Sequence, residues 1–376
     1  MAAGRLNVVI LEPYYGGSHA AFADALVRRS RHHCTVCHLP ARKWKWRMRG
    51  AALWFGRDAG GWYSHAAELP DVILANDMLS VADLRALLPP PLRSTPIVCY
   101  FHENQLTYPL ADNDWRDYQY GMTNIISCLA GDQVWFNSEF HRKSFLEAAE
   151  ALLRKMPDFV PTGITEAIRE KSSVYYPPVE QVVPRPPVEP HRADRPLRIL
   201  WCHRWEYDKN PEAFFDAMIA LAQRDVAFEV VCTGEQFRTA PAAFADVRSR
   251  LGERITHFGY IENHTEYMRQ IATCDLVVST ARQENFGIAV VEAMLAGCQP
   301  LLPDRLAYPE LISKELHGVC LYPNDADLTD RLEAIATGND ALSTDQATRL
   351  RRSLLERFGL DSAVAAMDAA FGCLCH

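Results

Sequence analysis

The feature that most constrains the fold is an alternation, along the whole chain, of short β-branched runs with longer amphipathic runs. Candidate strands in the first half are LNVVIL, CTVCHL, DVILAN, IVCYF and QVWFN, and the second half repeats the pattern with LRILWC, AFEVVCTG, ITHFGY, DLVVST and QPLLP. Helical patterns lie between them. Strands that alternate with helices predict βαβ units and parallel sheets.

A proline-rich segment interrupts this alternation. Residues 175–196 hold seven prolines and show no apolar periodicity, which is typical of a linker. We therefore predict two doubly wound, Rossmann-like domains of α/β class that face an interdomain cleft. The predicted parts are a first domain at 1–176, a linker at 177–196, a second domain at 197–355 and, at 356–376, a C-terminal helix that packs back on the first domain.

Size and composition indicate a globular protein. The 376 residues are 48% hydrophobic and 23% charged, and no apolar run has the roughly 18–20 residues that a membrane span needs. No signal peptide is evident, so we expect a cytoplasmic protein with no membrane contact. The sequence gives no indication of oligomeric state.

Eleven cysteines are scattered through apolar patterns, as reduced cysteines are in an intracellular core. Cys34 and Cys37 form one CxxC pair, and the chain ends with Cys373, Cys375 and His376. A zinc site made from these residues stays open at this point. Because no second CxxC pair occurs at a suitable spacing, we expect no metal.

Two polar segments follow strands of the first half. Gly16 and Gly17 lie between a strand and a helix, where backbone N–H groups favour an anion, although taken alone a plain turn is the simpler interpretation. His102 begins the cluster His-Glu-Asn-Gln directly after a buried strand. Its imidazole could donate to a substrate hydroxyl or phosphate, and the alternative is that the cluster only caps the next segment.

The corresponding positions of the second half carry cations and carboxylates. Arg204 and Lys209 follow a strand and precede a helix, which suits a diphosphate. Glu284 and Glu292 flank Asn285, Phe286 and Gly287, between a strand and a helix. Carboxylates accept paired hydroxyl groups, which suits a sugar and a ribose.

These motifs resemble those of a known family. Glu-x7-Glu after a strand, with an Arg…Lys pair upstream, is similar to the retaining, family-4-like glycosyltransferases of the GT-B fold. The segments EPYYGGSH, LPARKWKWR, YFHENQLTYP, FNSEFHRKSF and HRWEYDKNP resemble the tRNA-queuosine α-mannosyltransferases, which transfer mannose from GDP-mannose to queuosine in the tRNA anticodon. The resemblance covers nearly the whole chain.

The resemblance implies a role for each motif. Arg204 and Lys209 would hold the donor diphosphate. Glu284, helped by the loop at 285–287, would bind the donor sugar, and Glu292 the ribose. Gly16 and Gly17 would approach the phosphates, and His102 would face the transferred sugar. The resemblance implies GDP-mannose as donor, no separate cofactor and no metal.

A basic, aromatic stretch is unusual in a chain of net charge −8. A solvated surface is the simplest interpretation of such a run, and burial of the Trp faces in the domain core is another. An enzyme that acts on tRNA, however, needs cations for phosphates and aromatic faces for unpaired bases. We therefore predict a tRNA contact by Arg42, Lys43, Trp44, Lys45, Trp46, Arg47 and Arg49.

Two other functions stay open. The chain could be a family-4-like transferase with another nucleotide-sugar, a lipid acceptor or a small-metabolite acceptor. It could also be a non-catalytic RNA-binding protein on a degenerate transferase fold, against which the intact Arg, Lys and Glu motifs argue. The base of the nucleotide and the hexose are not readable from the residues themselves.

Overall fold

The structure, a computed structural model, describes residues 4–58, 61–64, 68–109, 116–180, 195–236 and 242–374. Most of the predicted linker (181–194), together with Cys375 and His376, lies outside these residues. The chain forms two compact units. Unit 1 contains Met1–Pro178 and Leu360–His376, and unit 2 contains Val179–Gly359.

Unit 1 is built on a six-stranded parallel sheet of order β2-β1-β3-β4-β5-β6. Its strands are β1 (Asn7–Tyr15), β2 (His33–Pro40), β3 (Val72–Asn76), β4 (Ile97–Phe101), β5 (Gln133–Phe136) and β6 (Ser172–Val174). Its first helices are α1 (Gly17–Arg29), α2 (Trp44–Gly56), α3 (Val81–Leu87), α4 (Tyr118–Ala130), α5 (Glu139–Leu153) and α6 (Ile164–Glu170). A 3₁₀ turn spans Pro90–Leu92.

Unit 2 has a second six-stranded sheet, of order β12-β11-β10-β7-β8-β9. Its strands are β7 (Leu197–Cys202), β8 (Phe228–Thr233), β9 (Ile255–Gly259), β10 (Leu276–Val278), β11 (Gln299–Pro303) and β12 (Leu321–Tyr322). Its helices are α7 (Pro211–Gln223), α8 (Ala243–Leu251), α9 (His264–Ile271), α10 (Ile288–Ala296), α11 (Tyr308–Leu311), α12 (His317–Cys320), α13 (Leu328–Ala336) and α14 (Thr344–Phe358). Short 3₁₀ turns span Tyr207–Lys209, Gly252–Arg254, Lys314–Leu316 and Asp325–Asp327.

The last helix, α15 (Leu360–Leu374), belongs to unit 1. Its buried residues Val364, Met367 and Phe371 pack in one core cluster with Phe22 of α1 and Trp135 of β5. The second domain was predicted to end at 355, but unit 2 runs to Gly359 because α14 is one continuous helix to Phe358.

The sheets have apolar side chains on both faces, as parallel sheets covered by helices require. In β1, Val9 and Leu11 point into one core of unit 1, and Val8 and Ile10 point into the other. Every strand pair recorded in the two sheets is parallel. The predicted α/β class with two doubly wound sheets is confirmed, while the shared interdomain cleft stays a prediction.

Strand order indicates where a ligand would bind in each sheet. The order reverses between β1 and β3 in unit 1 and between β7 and β10 in unit 2. In open α/β sheets, ligands bind outside the carboxyl ends of the strands at such a reversal. The segments after β1, β3, β7 and β10 are therefore expected to carry the ligand-binding residues.

Candidate active site

The loop after β7 carries the two predicted cations of unit 2. Arg204 follows His203 directly after the strand, and its guanidinium lies 3.1 Å from Oε2 of Glu206. Lys209 ends the 3₁₀ turn Tyr207–Lys209. The side chain of Arg204 is 47% exposed, whereas that of Lys209 is 9% exposed. One cation therefore faces solvent and the other is held inside the loop.

Lys209 is fixed by oxygen atoms from both sides of the strand reversal. Its Nζ donates to the carbonyl oxygen of Gln283 at 2.7 Å. It lies 3.0 Å from a carboxylate oxygen of Asp208 and 3.5 Å from one of Glu284. The structure thus brings Lys209 and Glu284, 75 residues apart in sequence, into contact.

The charge on Lys209 is maintained despite its burial. Burial lowers the pKa of this amine, but the carboxylates of Glu284 and Asp208 more than compensate, so the pKa lies above its ordinary value. The positive charge of Arg204 acts in the opposite direction and lowers this pKa by repulsion. An anion bound between them would relieve this repulsion.

The second predicted motif lies on the loop from β10 to α10. The side chain of Glu284 is 19% exposed, Asn285 is buried beside Gln283, and Phe286 packs edge-on against Phe358. Gly287 is the N-cap of α10. The buried aromatic ring anchors the loop, so the Glu284 carboxylate and the start of the helix keep a fixed relation.

Glu292 lies inside α10, one turn beyond its start, as predicted. Its side chain is 16% exposed, and one carboxylate oxygen lies 3.7 Å from Nε2 of His264. Burial, together with this carboxylate among other groups, raises the pKa of Tyr267 well above its usual range. Glu292 therefore faces α9, and its implied contact with a ribose stays a prediction.

The loop after β8 packs against the loop after β7, which carries Arg204 and Lys209. Gly234 has a φ of 147°, and a Cβ on it would come 1.8 Å from the carbonyl oxygen of His203. The backbone N–H of Trp205 donates to the carbonyl of Glu235 at 3.0 Å. Only glycine permits this approach, which holds the backbone on both sides of Arg204.

We expect Gly234→Ala to lower the free energy of unfolding by about 3 kcal/mol or more, because it adds both a steric clash and an unfavourable φ. Chemical denaturation measures this loss. Gly318→Ala is the matched control, since nothing lies within 4 Å of the added methyl group and the position is helical. Equal stability of the two variants would contradict the conclusion that position 234 requires glycine.

In unit 1, the two predicted glycines follow β1, and a different constraint requires glycine at each position. A Cβ on Gly16 would come 2.6 Å from Cβ of Ala41, and Gly17 has a φ of 52°. Gly16 is the N-cap of α1, and no side chain caps this helix start. The loop is therefore confined by its backbone geometry, and an anion contact there stays a prediction.

A buried polar cluster lies at the strand reversal of unit 1. The rings of His19 and His102 stack with their centroids 4.1 Å apart. Nδ1 of His19 lies 3.4 Å from a carboxylate oxygen of Glu12, and the amide of Asn76 donates to the other oxygen at 2.8 Å. Asp77 accepts the backbone N–H of His102 at 3.0 Å. Residues of β1 and α1 and of the carboxyl end of β3 thus converge on His102, which follows β4.

The two stacked rings differ in charge preference. Burial lowers the pKa of His19, but the Glu12 carboxylate and, more weakly, Asp77 and Glu103 raise it to about 9. For His102, burial and the neighbouring charge of His19 both lower the pKa well below its usual range. His102 is therefore kept as a neutral imidazole, able to donate and accept a hydrogen bond.

Glu12, His19 and His102 place three possible ligand atoms within 4.8 Å of one another. Imidazole binds a metal through a lone pair in the plane of its ring. Two rings stacked at an interplanar angle of 24° direct these lone pairs side by side rather than to one point. The arrangement fits a pair of interacting histidines and does not fit a metal centre.

The CxxC pair is also unsuited to a metal. Cys34 and Cys37 are three residues apart on β2, so they point to opposite faces of the sheet. Cys34 belongs to one core cluster of unit 1, and Cys37 packs against the other. Burial raises the pKa of both thiols to about 11.

The predicted basic stretch forms the start of α2. Lys43 is the N-cap, with a φ of 57°, and the first turn contains no acidic residue. Trp44 is half-buried and meets Tyr120 edge-on, whereas Trp46 is 60% exposed. Of the two indoles, that of Trp46 is thus the more accessible to solvent, and the tRNA contact itself stays a prediction. Arg42, Lys43, Lys45 and Arg49 are exposed, and Arg47 is half-buried with a hydrogen bond to the carbonyl of Pro40.

Sequence reasoning missed several residues of these clusters. Asp208 and Gln283 precede or flank predicted residues, and their contacts with Lys209 depend on how two distant loops meet. Glu12 and His19 stood within the quoted EPYYGGSH segment. A charged residue inside the apolar run of β1 was the available signal for Glu12.

Comparison with known proteins gives consistent results. A family model described as "tRNA-queuosine alpha-mannosyltransferase N-terminal" matches residues 7–179, and one described as "Glycosyl transferases group 1" matches residues 187–351. The tRNA-queuosine alpha-mannosyltransferase of Drosophila melanogaster is 38% identical over 344 residues, which are 88% of this chain and 87% of that protein.

Two further proteins are similar over different extents. The GDP-mannose-dependent alpha-(1-6)-phosphatidylinositol dimannoside mannosyltransferase of Mycobacterium tuberculosis is 26% identical over 181 residues, 47% of this chain and 44% of that protein. The structure of sucrose-phosphate synthase from Thermosynechococcus elongatus has a TM-score of 0.72 at 15% identity, covering 98% of this chain and 99% of that chain.

The predicted enzyme class and fold are confirmed by these matches. The fold is GT-B, and the glycosyl transferase model covers most of unit 2, which carries Lys209, Glu284 and Glu292. Identity of 38% over most of both chains decides the family. The chain is a glycosyltransferase and belongs to the tRNA-queuosine α-mannosyltransferase family.

Proposed function

We propose that this enzyme transfers mannose from GDP-mannose to queuosine in tRNA, with retention of configuration at the anomeric carbon. The observation that carries the proposal is the 38% identity, over 88% of the chain, to a protein named for this activity. The contact between Lys209 and Glu284 at the strand reversal of unit 2 supplies the matching chemistry. Since tRNA is the acceptor, we place the protein in the cytoplasm.

Unit 2 supports the binding of a nucleotide-sugar. Arg204 and Lys209 would hold the diphosphate, Glu284 the hydroxyls of the sugar, and Glu292 the ribose. The donor GDP-mannose is supported by the relative of Mycobacterium tuberculosis, whose name specifies that donor. Arg204 and Lys209 would supply the positive charge beside the leaving diphosphate that a metal ion can otherwise supply, so we propose that no metal is required.

The transfer itself needs few groups from the protein. The acceptor hydroxyl oxygen approaches the anomeric carbon on the face that the diphosphate leaves, and forms its bond to that carbon as the bond to the phosphate oxygen breaks, which retains the configuration. The hydroxyl proton passes to an oxygen of the leaving diphosphate, whose new charge Lys209 and Arg204 stabilise. No protein nucleophile takes part in this scheme. The contact of His102 with the transferred sugar stays a prediction, and its neutral ring suits a sugar hydroxyl.

Nucleoside mass analysis tests the proposal. The protein is incubated with queuosine-containing tRNA and GDP-mannose, GDP-glucose, UDP-glucose or UDP-galactose, and with the same tRNA lacking queuosine as the control. We expect queuosine to gain the mass of one hexose with GDP-mannose alone. Transfer from one of the other donors only would show that GDP-mannose is not the donor. Absence of transfer to tRNA with every donor would refute the proposal that tRNA is the acceptor.

A lipid acceptor is the competing possibility. Among the residues that the structure describes, no helix has both the length and the apolar character that crossing a bilayer needs. The same incubation with a polyprenyl phosphate or phosphatidylinositol in place of tRNA would detect lipid mannosylation, and transfer to lipid without transfer to tRNA would overturn the proposal.

A further inference from the structure

The helix α2 has two faces of different character. Its inner face, with Met48, Ala51, Ala52 and Phe55, is buried in unit 1. Positions four, seven, eight and eleven residues after Trp46 lie along its outer face, in line with Trp46 itself. The large apolar side chains there are exposed: Trp46 by 60%, Leu53 by 53% and Trp54 by 48%.

Gly50 determines how the first of these indoles lies. A Cβ on Gly50 would come 2.7 Å from both Cε2 and Cζ2 of Trp46. The indole therefore lies directly against the helix backbone, in the space that any other residue at position 50 would fill. One face of the ring is supported by the helix, and most of the side chain remains accessible to solvent.

The outer face of α2 is also strongly basic. Residues 41–57 contain six Lys or Arg residues and no Asp or Glu. A groove of about 550 Å³ lies along the helix, and Arg42, Arg47 and Arg57 line it together with Trp46 and Trp54. Leu39 and Pro40, at the carboxyl end of β2, also line it. The groove therefore opens at the same edge of the sheet as the cluster around His102.

We propose that this groove binds single-stranded RNA, with Trp46 as a stacking platform for an unpaired base, Trp54 as a second aromatic contact and Arg57 as a phosphate contact. The proposal rests on the proposed function and extends it, because Leu53, Trp54 and Arg57 lie outside the stretch that the sequence singled out and Gly50 had no predicted role. Flat aromatic faces interleaved with cations are what unpaired bases and their phosphates require.

The arrangement of charges favours RNA over a membrane surface. A helix that lies in a bilayer interface presents a continuous apolar face, with its cations at the border of that face. Here, Arg47 and Arg57 line the same groove as the two indoles. A bilayer that took up Trp46 and Trp54 would therefore have to desolvate guanidinium groups between them.

Gly50→Ala is the sharpest test, because it displaces the platform without removing any side chain. The clash is with the end of a side chain, which can move, and alanine favours a helix more than glycine does, so the melting temperature should not fall. We expect the affinity for a stem–loop RNA to drop about fivefold to a hundredfold in Gly50→Ala and in Trp46→Ala. Binding of a fully paired duplex of equal length should be unchanged.

The cations are tested separately. Arg57→Ala should weaken binding of the stem–loop and of the duplex alike, and should reduce the slope of log K against log salt by about one. Phe159→Ala removes another exposed aromatic ring of unit 1 and serves as the matched control with unchanged binding. An Arg57→Ala protein with the wild-type salt slope would remove Arg57 from the contact.

Other results would contradict the proposed stacking of an unpaired base on Trp46. A folded Gly50→Ala protein that binds the stem–loop as tightly as wild type would refute it, even where the wild-type enzyme mannosylates tRNA. Failure of the wild-type enzyme to modify tRNA would instead refute the proposed function. Cosedimentation with phosphatidylglycerol–phosphatidylcholine vesicles, lost in Trp46→Ala while stem–loop binding persists, would assign the groove to a membrane.

Discussion

Lys209→Ala is expected to lower kcat for hexosyl transfer by about 10²–10³-fold, while the Kd for acceptor tRNA changes by less than about threefold. The reason is the position of its amine, which is charged, buried and aimed between Gln283 and Glu284. An ammonium group fixed in this way stabilises charge that develops on the leaving diphosphate, and contributes less to a bound neutral hydroxyl. Single-turnover kinetics and RNA binding assays measure the two effects independently.

The control must separate chemistry from folding. Removing Lys209 leaves Asp208 buried beside an empty position, and loss of one partner of a buried ion pair costs about 3–5 kcal/mol of stability. Arg204→Ala removes a half-exposed cation and should lower kcat with little change in stability. Lys314→Ala, an exposed lysine of the same unit, should retain wild-type kcat. A folded Lys209→Ala protein with wild-type kcat would contradict the proposed contact between Lys209 and the donor diphosphate.

Much of the fold could be predicted because each sheet is buried on both faces. A strand such as IVCYF in β4 must then be apolar throughout, and all ten predicted strands are present. The strands that were missed, Ser172–Val174 and Leu321–Tyr322, have three and two residues, too few to show a period. The strand order could not be predicted, because it depends on which strands pair rather than on any one of them.

The candidate site divides in the same way. Residues directly after strands, such as Arg204, His102 and Glu284, could be named because parallel strands end at one edge of a sheet. The contacts that hold these side chains in place could not be predicted. The stacking of His19 on His102 joins α1 to the loop after β4, and the indole of Trp46 over Gly50 depends on a rotamer. Neither contact leaves a pattern in the sequence.

We expect the loss of the His19 proton alone to lower the free energy of unfolding by about 3 kcal/mol as the pH rises from about 6.5 to 9. Burial opposes the charged form of His19, but Glu12, Asp77 and Glu103 raise its pKa from 6.5 to about 9. A raised pKa means that the folded protein binds the proton more tightly. Its stabilisation is therefore complete below pH 6.5 and is lost as the pH passes 9. Asp77 acts in the same direction, since burial raises its pKa to about 8.

Glu12→Gln tests the source of this dependence. Gln keeps the shape of the side chain but removes the carboxylate 3.4 Å from Nδ1, so burial should then dominate and the pKa of His19 should fall. The decline in stability between pH 6.5 and 9 should become shallower, and the pKa of His19, followed by NMR, should move down. Glu147→Gln, which alters an exposed carboxylate on α5, should leave both unchanged. If the pKa of His19 stayed near 9 without Glu12, its charge would not come from this pair, and the neutrality of His102 would need another cause.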